Sequence, residues 1–252
     1  MSATTRLKHI TDIVQNNKRV SVTELSEICN VTEETIRKDL TKLESAGILT
    51  RVHGGAVLNE QSQSLSIQFD QRKKIEIEGK RTIAKNVQFL FEDGISLFAD
   101  GSSTVSEALA AIDENKDVMI ISNSANLFFD MADKKARLIS TGGLFNSRHL
   151  SLQGNVTKET ICKYHADYAL ISCKTIDLDR GVQDSDEGEA EVKEMMINQS
   201  DKVILLVDHT KFNKHSLIRL LDLDKLAYII TDVKPSQEWI EYCIANNIKL
   251  VY

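Results

Sequence analysis

Two stretches of this 252-residue chain put reactive side chains at spacings that chemistry could use. In TEETIRKDLTK, residues 32–42, the hydroxyls of Thr32 and Thr35 and the cations Arg37, Lys38 and Lys42 lie on one side of a helical repeat. Ile36, Leu40 and Leu43 recur at helical spacing on the other side. Such a surface suits phosphate oxygens and base edges. An arginine pairs bidentately with guanine, worth ~1–3 kcal/mol of discrimination. Arg37 and Lys38 diverge by ~100° around the axis, so one can reach bases while the other reaches a phosphate. Thr32 and Thr35 can bond a phosphate or a thymine edge. The second stretch is a set of loops that each follow an apolar run. They are Asp100-Gly101-Ser102-Ser103-Thr104, Ser122-Asn123-Ser124, Thr141-Gly142-Gly143 and Asp208-His209-Thr210-Lys211. Glycine, hydroxyls and successive amides at a helix start accept a phosphate. Lys211 adds a point charge, and Asp100 a carboxylate for sugar hydroxyls.

The elements that must carry the first set are legible in order. Leu7, Ile10, Ile13 and Val14 mark a helix; Ser21 or Thr23 caps a second, in which Leu25 and Ile28 face inward; Asn30-Val31 turns. Thr32 caps the third helix, with Glu33 and Glu34 in its first turn and Gly47 to end it. Ile48–Val52 and Ala56–Leu58 read as strands around the turn His53-Gly54-Gly55. The result is a winged helix-turn-helix, with Arg51 and His53 on the wing able to meet backbone or minor groove.

Residues 59–68 are polar and read as a linker. Beyond them helices alternate with strands. Helices are expected at Lys80–Phe91, Thr104–Ile112, Leu127–Ala132, Val156–Tyr164, Glu189–Asn198 and Trp239–Ala245. Strands are expected at Ile95–Ala99, Val118–Ile121, Leu138–Ser140, Tyr168–Ser172, Val203–Val207, Tyr228–Ile230 and Lys249–Tyr252. This is the pattern of an α/β fold, a largely parallel sheet with helices on both faces. Its strand-end loops gather along one edge, where ligands bind. The expected divisions are a DNA-binding domain over 3–58, a connecting segment over 59–79 and a sensor domain over 80–252.

Charge is divided unevenly. Residues 1–58 hold 8 Lys/Arg and 7 Asp/Glu, a net of +1, leaving 23 and 30 for the remainder, a net of −7. The first domain must therefore sort its cations onto one face to hold nucleic acid. Cys29, Cys162, Cys173 and Cys243 are far apart and read as buried apolar residues, not a disulfide framework or zinc site. The first residues lack the apolar run of a signal peptide, and no window reaches ~18 consecutive apolar residues. A cytoplasmic protein with no membrane span, no metal and no cofactor is expected.

These motifs resemble the DeoR family of bacterial transcriptional regulators. VTEETIRKDL (31–40) and GILTRVHGGA (47–56) are similar to the family's Val-Ser-x-x-Thr-Ile-Arg-Arg-Asp-Leu and Gly-x-Leu-x-Arg-x-His-Gly-Gly-Ala, with Thr32 for Ser and Lys38 for the second Arg. The Asp100–Thr104, Ser122–Ser124, Gly142-Gly143 and Asp208–Phe212 segments, and EAEVKEMM (189–196), are similar to its sensor domain. Asp100 directly precedes Gly101 where the family interposes one residue, so Ala99 holds the family's Asp position. Ser172-Cys173-Lys174 stands where the family commonly has a glycine-bearing loop, and Lys174 there narrows the pocket or adds a cation. The resemblance implies a sensor fold like that of ribose-5-phosphate isomerase and CoA transferases, and phosphorylated sugars as effectors. It implies a homo-oligomeric repressor of a carbohydrate-utilisation operon, relieved when a sugar phosphate binds. The alternative is a sugar-phosphate isomerase or transferase with an accessory DNA-binding domain. Its base would come from Asp184, Asp186 and Glu187.

Overall fold

The computed structural model describes residues 3–45, 49–52, 54–58 and 69–252, and the chain divides into two compact units between residues 67 and 68. In the first unit the helix Ala3–Asn17 leads into β1 (Arg19–Ser21) and the helices Val22–Cys29 and Glu33–Ser45. The strands β2 (Leu49–Val52) and β3 (Gly55–Leu58) follow, and the antiparallel order is β1-β3-β2. This is a winged helix-turn-helix. Ser21 starts the second helix through a reciprocal pair: its Oγ accepts from the Glu24 amide at 3.1 Å, and the Glu24 carboxylate accepts from the Ser21 amide at 3.0 Å. Asn30, at φ 52°, turns the chain between the helices in a left-handed conformation that asparagine tolerates. Ile10, Val14, Leu25, Ile36, Leu40, Leu43 and Leu49 close the core. Gly55 is dictated by the approach of β1, because a Cβ there would lie 2.1 Å from the Val20 carbonyl oxygen. Asp39 departs from the solvated helix face: it is buried and accepts from Arg6 Nε at 2.6 Å, tying the first helix to the third. Gly47, Ile48, the wing residue His53 and the linker 59–68 lie outside the described residues.

The sheet of the second unit is parallel throughout. Its strands are β4 (Ser96–Ala99), β5 (Met119–Ser122), β6 (Arg137–Ser140), β9 (Ala166–Ile171), β12 (Ser200–Leu206), β14 (Leu226–Ile230) and β15 (Lys249–Val251). They lie in the order β15-β14-β12-β9-β4-β5-β6. A hairpin of β7 (Leu144–Asn146) and β8 (Ser151–Gln153), and a small antiparallel sheet of β10 (Thr175–Asp177), β11 (Gly181–Asp184) and β13 (Ile218–Leu221), complete the unit. Neither was expected, since strands of three or four residues leave too short a run for periodicity. Both faces of the main sheet are covered. Leu97 and Ala99 join Ile83, Val105 and Leu109 in one core, whereas Phe98 joins Ile161, Val192 and Met196 in another. Burial on both sides is why these strands read as continuous apolar runs.

The chain passes from β4 to β5 and β6 on one side, then returns to β9 on the other side of β4. That reversal leaves a crevice at the carboxyl ends of β4 and β9. The helices Phe69–Lys74 and Ile77–Asn86 begin ahead of residue 80, and the second ends in a tight turn at Gln88–Leu90 without running on to Phe91. Among the described residues no helix is long and apolar enough to cross a membrane.

Candidate DNA interface and effector crevice

Helix Glu33–Ser45 divides as its spacing requires. Ile36, Leu40 and Leu43 are buried, while Thr32, Arg37, Lys38 and Lys42 are exposed and Thr35 half-buried. The Thr32 and Thr35 hydroxyls share a hydrogen bond of 3.0 Å at the helix start. Arg37 pairs with Glu33 at 2.7 Å and Lys38 with Glu34 at 2.9 Å, each one turn back. The bond from Lys38 holds the Glu34 carboxyl below its ordinary range. Exposed pairs of this kind are weak and readily exchanged for a polyanion. Arg51, on β2, donates from Nη1 to Thr41 Oγ1 at 3.0 Å, and its amide donates to the Glu44 carboxylate at 2.9 Å. The strand before the wing is thereby fastened to the third helix.

In the second unit the predicted loops converge on the crevice. Asp100, at the end of β4, accepts from the Ser102 amide at 2.9 Å and, across to the end of β9, from the Ser172 amide at 2.8 Å. It is buried, and Lys193 stands 3.3 Å away. Its carboxylate thus braces two strand ends against each other, which corrects the expectation of a group offered to sugar hydroxyls. Ser102 caps the helix Ser103–Ala110, its Oγ accepting from the Val105 amide at 3.2 Å, and buries Ser103 and Thr104 in the first turn. Ser122 Oγ donates to the Ala99 carbonyl at 2.7 Å and accepts from the Ser124 amide at 3.0 Å, joining the β4 and β5 loops. Gly101 keeps the crevice floor open: a Cβ there would press on Ser151 at 3.2 Å, with Asn123 Oδ1 at 3.7 Å and Glu189 Oε2 at 3.8 Å. Gly143, at φ 115°, is compelled by packing, since a Cβ would fall 2.1 Å from Thr157 Oγ1. Thr157 in turn donates to the Gly142 carbonyl at 2.6 Å.

The positive side of the crevice is crowded. Lys211 donates to the Cys173 carbonyl at 2.9 Å and to Ser172 Oγ at 3.3 Å, and lies 3.7 Å from Asp208. Asp208, buried, caps the turn His209–Lys211 by accepting from the Thr210 amide at 3.1 Å. Burial, then repulsion from Lys211, pushes Lys80 down to about 8, and the same two causes push Lys174 down. Mutual repulsion among these ammonium groups is relieved by an anion. Burial drives the Cys173 thiol up to about 12, leaving it inert.

Opposite the lysines, several buried polar atoms have no hydrogen-bond partner: Asn123 Oδ1, Ser124 Oγ, Ser106 Oγ, His149 Nε2 and Arg72 Nε. Each unpaired buried group costs ~1–3 kcal/mol, which is the usual mark of a site awaiting a ligand or water.

Both halves match known domains. The model of the DeoR-like helix-turn-helix domain matches residues 6–62, and that of the DeoR C terminal sensor domain matches residues 75–233. The chain belongs to the DeoR family. It is a DNA-binding transcriptional regulator with a C-terminal sensor domain. The transcriptional regulator YulB of Bacillus subtilis is 34% identical over 90% of this chain and 88% of its own. The L-fucose operon activator of Haemophilus influenzae is 32% identical over 94% and 95%, and the glycerol-3-phosphate regulon repressor of Escherichia coli 29% identical over 99% of each. Among solved structures, a ribose 5-phosphate isomerase of Methanocaldococcus jannaschii aligns over 53% of each chain at 15% identity, with a TM-score of 0.40.

Several residues of the regulator's crevice escaped the sequence reading. Lys193 donates to Asp184 at 2.6 Å and to the Ser172 carbonyl at 2.9 Å. Burial opposes its charge, but Asp184 and Asp100 outweigh burial and raise its pKa. Glu189 accepts from Ser151 Oγ, and from Gln153 Nε2 at 2.6 Å. A signal for both existed: Glu189 and Lys193 share one helical face with the buried Val192 and Met196. Arg72, His149 and Lys80 carried none.

Proposed function

We propose that this DeoR-family regulator represses a carbohydrate-utilisation operon and releases it when a phosphorylated sugar occupies the crevice. The observation that carries the effector class is the crowding of Lys80, Lys174 and Lys211 beside buried, unpartnered polar atoms, one end for an anion and the other for hydroxyls. The phosphate is held by the first turn at Ser102, Ser103 and Thr104 and by Lys211, with Lys174 adding charge. Asn123 and Ser124 face the sugar. Gly101, Gly142 and Gly143 give the loops their close approach, and Asp100 and Asp208 organise them. The names of the L-fucose operon activator and the glycerol-3-phosphate regulon repressor support a carbohydrate context.

Thr32, Thr35, Arg37 and Lys38 read the major groove, Lys42 and Arg51 hold phosphates, and His53 belongs to the wing. The regulator acts in the cytoplasm as a homo-oligomer, which sets two recognition helices on half-sites ~34 Å apart or a multiple of that. A change in operator affinity of ~1–3 kcal/mol suffices for control.

The test is a thermal-shift screen of the full chain against sugar phosphates, followed by fluorescence anisotropy on a fragment from its own promoter. A ligand at 100 times its dissociation constant adds ~2.7 kcal/mol of stability. Lys211→Ala should bind the fragment normally and no longer respond to the active sugar phosphate; normal release would remove Lys211 from the site. Turnover of pentose phosphates by the purified chain would favour the isomerase reading instead. Glu187, one of the three candidate bases, is exposed, and Asp184 is held by Lys193.

A further inference from the structure

The short helix Phe69–Lys74 is the first described element after the connector from the DNA-binding unit. Its sequence, FDQRKK, reads as a charged turn facing solvent. Its packing is otherwise. Phe69 is buried, with the Arg72 guanidinium 5.5 Å above its ring. Arg72 runs inward toward Glu189, Asp100, Asp184 and Asp186, and burial lowers its pKa without discharging it. Its Nη2 donates to His149 Nδ1 at 3.4 Å. A guanidinium has donors only, so Nδ1 is the acceptor and the imidazole proton resides on Nε2. That Nε2 stands 3.4 Å from Asp186 Oδ2 without forming a hydrogen bond.

Two buried donors, Arg72 Nε and His149 Nε2, therefore stand idle beside Glu189, the nearest acid to both. Idle acceptors lie at the same place: Asn123 Oδ1 and Glu189 Oε2 both come within 3.8 Å of the space that Gly101 leaves open. A phosphate does not suit this end, because it would face four carboxylates. Hydroxyls do, since each both donates and accepts.

We propose that Arg72 contacts the effector directly, donating from Nε to a hydroxyl oxygen at the sugar's non-phosphorylated end, with His149 as the second donor. This rests on the reading of the crevice as a sugar-phosphate site. It gives the ligand a handle on the segment that leads to the DNA-binding unit. The same helix is held from the anion side, because Lys80 donates to the carbonyls of Arg72 and Ile75 while facing Lys211. Occupancy at either end of the crevice thus bears on one six-residue helix.

The experiment is calorimetric titration of the full chain with inorganic phosphate and with triose, pentose and hexose monophosphates, for the wild type, Arg72→Gln and Arg72→Lys. Arg72→Lys keeps the charge among the carboxylates but loses the planar Nε donor, so it remains informative if Arg72→Gln does not fold. The best sugar phosphate should bind either variant about tenfold more weakly, while inorganic phosphate changes by less than about twofold. Equal weakening of both ligands, or none, would show Arg72 to be a packing residue and overturn the proposal. If no sugar phosphate binds the wild type better than inorganic phosphate does, the crevice reading itself fails, and the role of Arg72 with it.

Discussion

The recognition helix and the effector crevice hold charge in opposite ways. On the helix, Arg37 and Lys38 are exposed and lean on Glu33 and Glu34 one turn away, partners that helical spacing alone supplies. In the crevice, Asp100, Asp184 and Lys193 are buried, and their partners come from strand ends far apart in the chain. An exposed charge is free to trade its partner for DNA, at little cost to the fold. A buried charge cannot be moved without leaving another uncompensated. The first region can therefore vary its contacts independently of stability, whereas the second joins stability and ligand recognition in one network.

The contrast is broken most severely at Lys193. Removing one member of a buried ion pair costs ~3–5 kcal/mol, so Lys193→Met should destabilise the sensor unit by about that amount. Urea unfolding followed by the fluorescence of Trp239, the single tryptophan and buried in the sensor core, reads this directly. A loss under ~1 kcal/mol would mean that Asp100 and Asp184 are satisfied by other means. Arg37→Ala should leave that transition untouched and weaken specific operator binding by ~1–3 kcal/mol. Anisotropy equal to the wild type would remove Arg37 from the base-reading set.

The smallest effect expected is a pH dependence at Lys80. Its pKa is held down to about 8 by burial and then by Lys211, with Asp208 and Glu107 pulling the other way and Arg72 adding to the repulsion. A bound anion nearby raises that value. Well below pH 8 the ammonium is already charged in both states, and binding moves no proton. Above pH 8 binding takes up a proton, so sugar-phosphate affinity falls as pH rises, by at most about tenfold per unit. Calorimetry above pH 8 in two buffers of different ionisation enthalpy measures the uptake; none would separate Lys80 from the anion.

Where local rules suffice, the sequence was a good guide. The inward stripe Ile36, Leu40 and Leu43, the Ser21 cap, and the glycines and hydroxyls after each apolar strand could be read from spacing and residue type. Asp39 could not, because its partner Arg6 is 33 residues away. Arg72 looked like a solvated charge for a like reason: His149, which it meets, lies 77 residues on, in a loop beside a hairpin too short to show a pattern. Lys80 looked like the start of a helix, and its burial depends on the helix folded back over it.

The residues alone settled that a helix-turn-helix with a cationic face precedes an α/β unit whose strand ends bear phosphate-type loops. Helix and strand periods repeat within a few residues, so each such statement is complete in its own stretch of chain. The order in which the strands lie side by side was decided in three dimensions. That order sets Asp100 against Ser172, 72 residues away, and Lys211 against Cys173, 38 residues away. Burial of these charges and hydroxyls, and hence their cost and their use, follows from sheet order and from desolvation, which no spacing along the chain records.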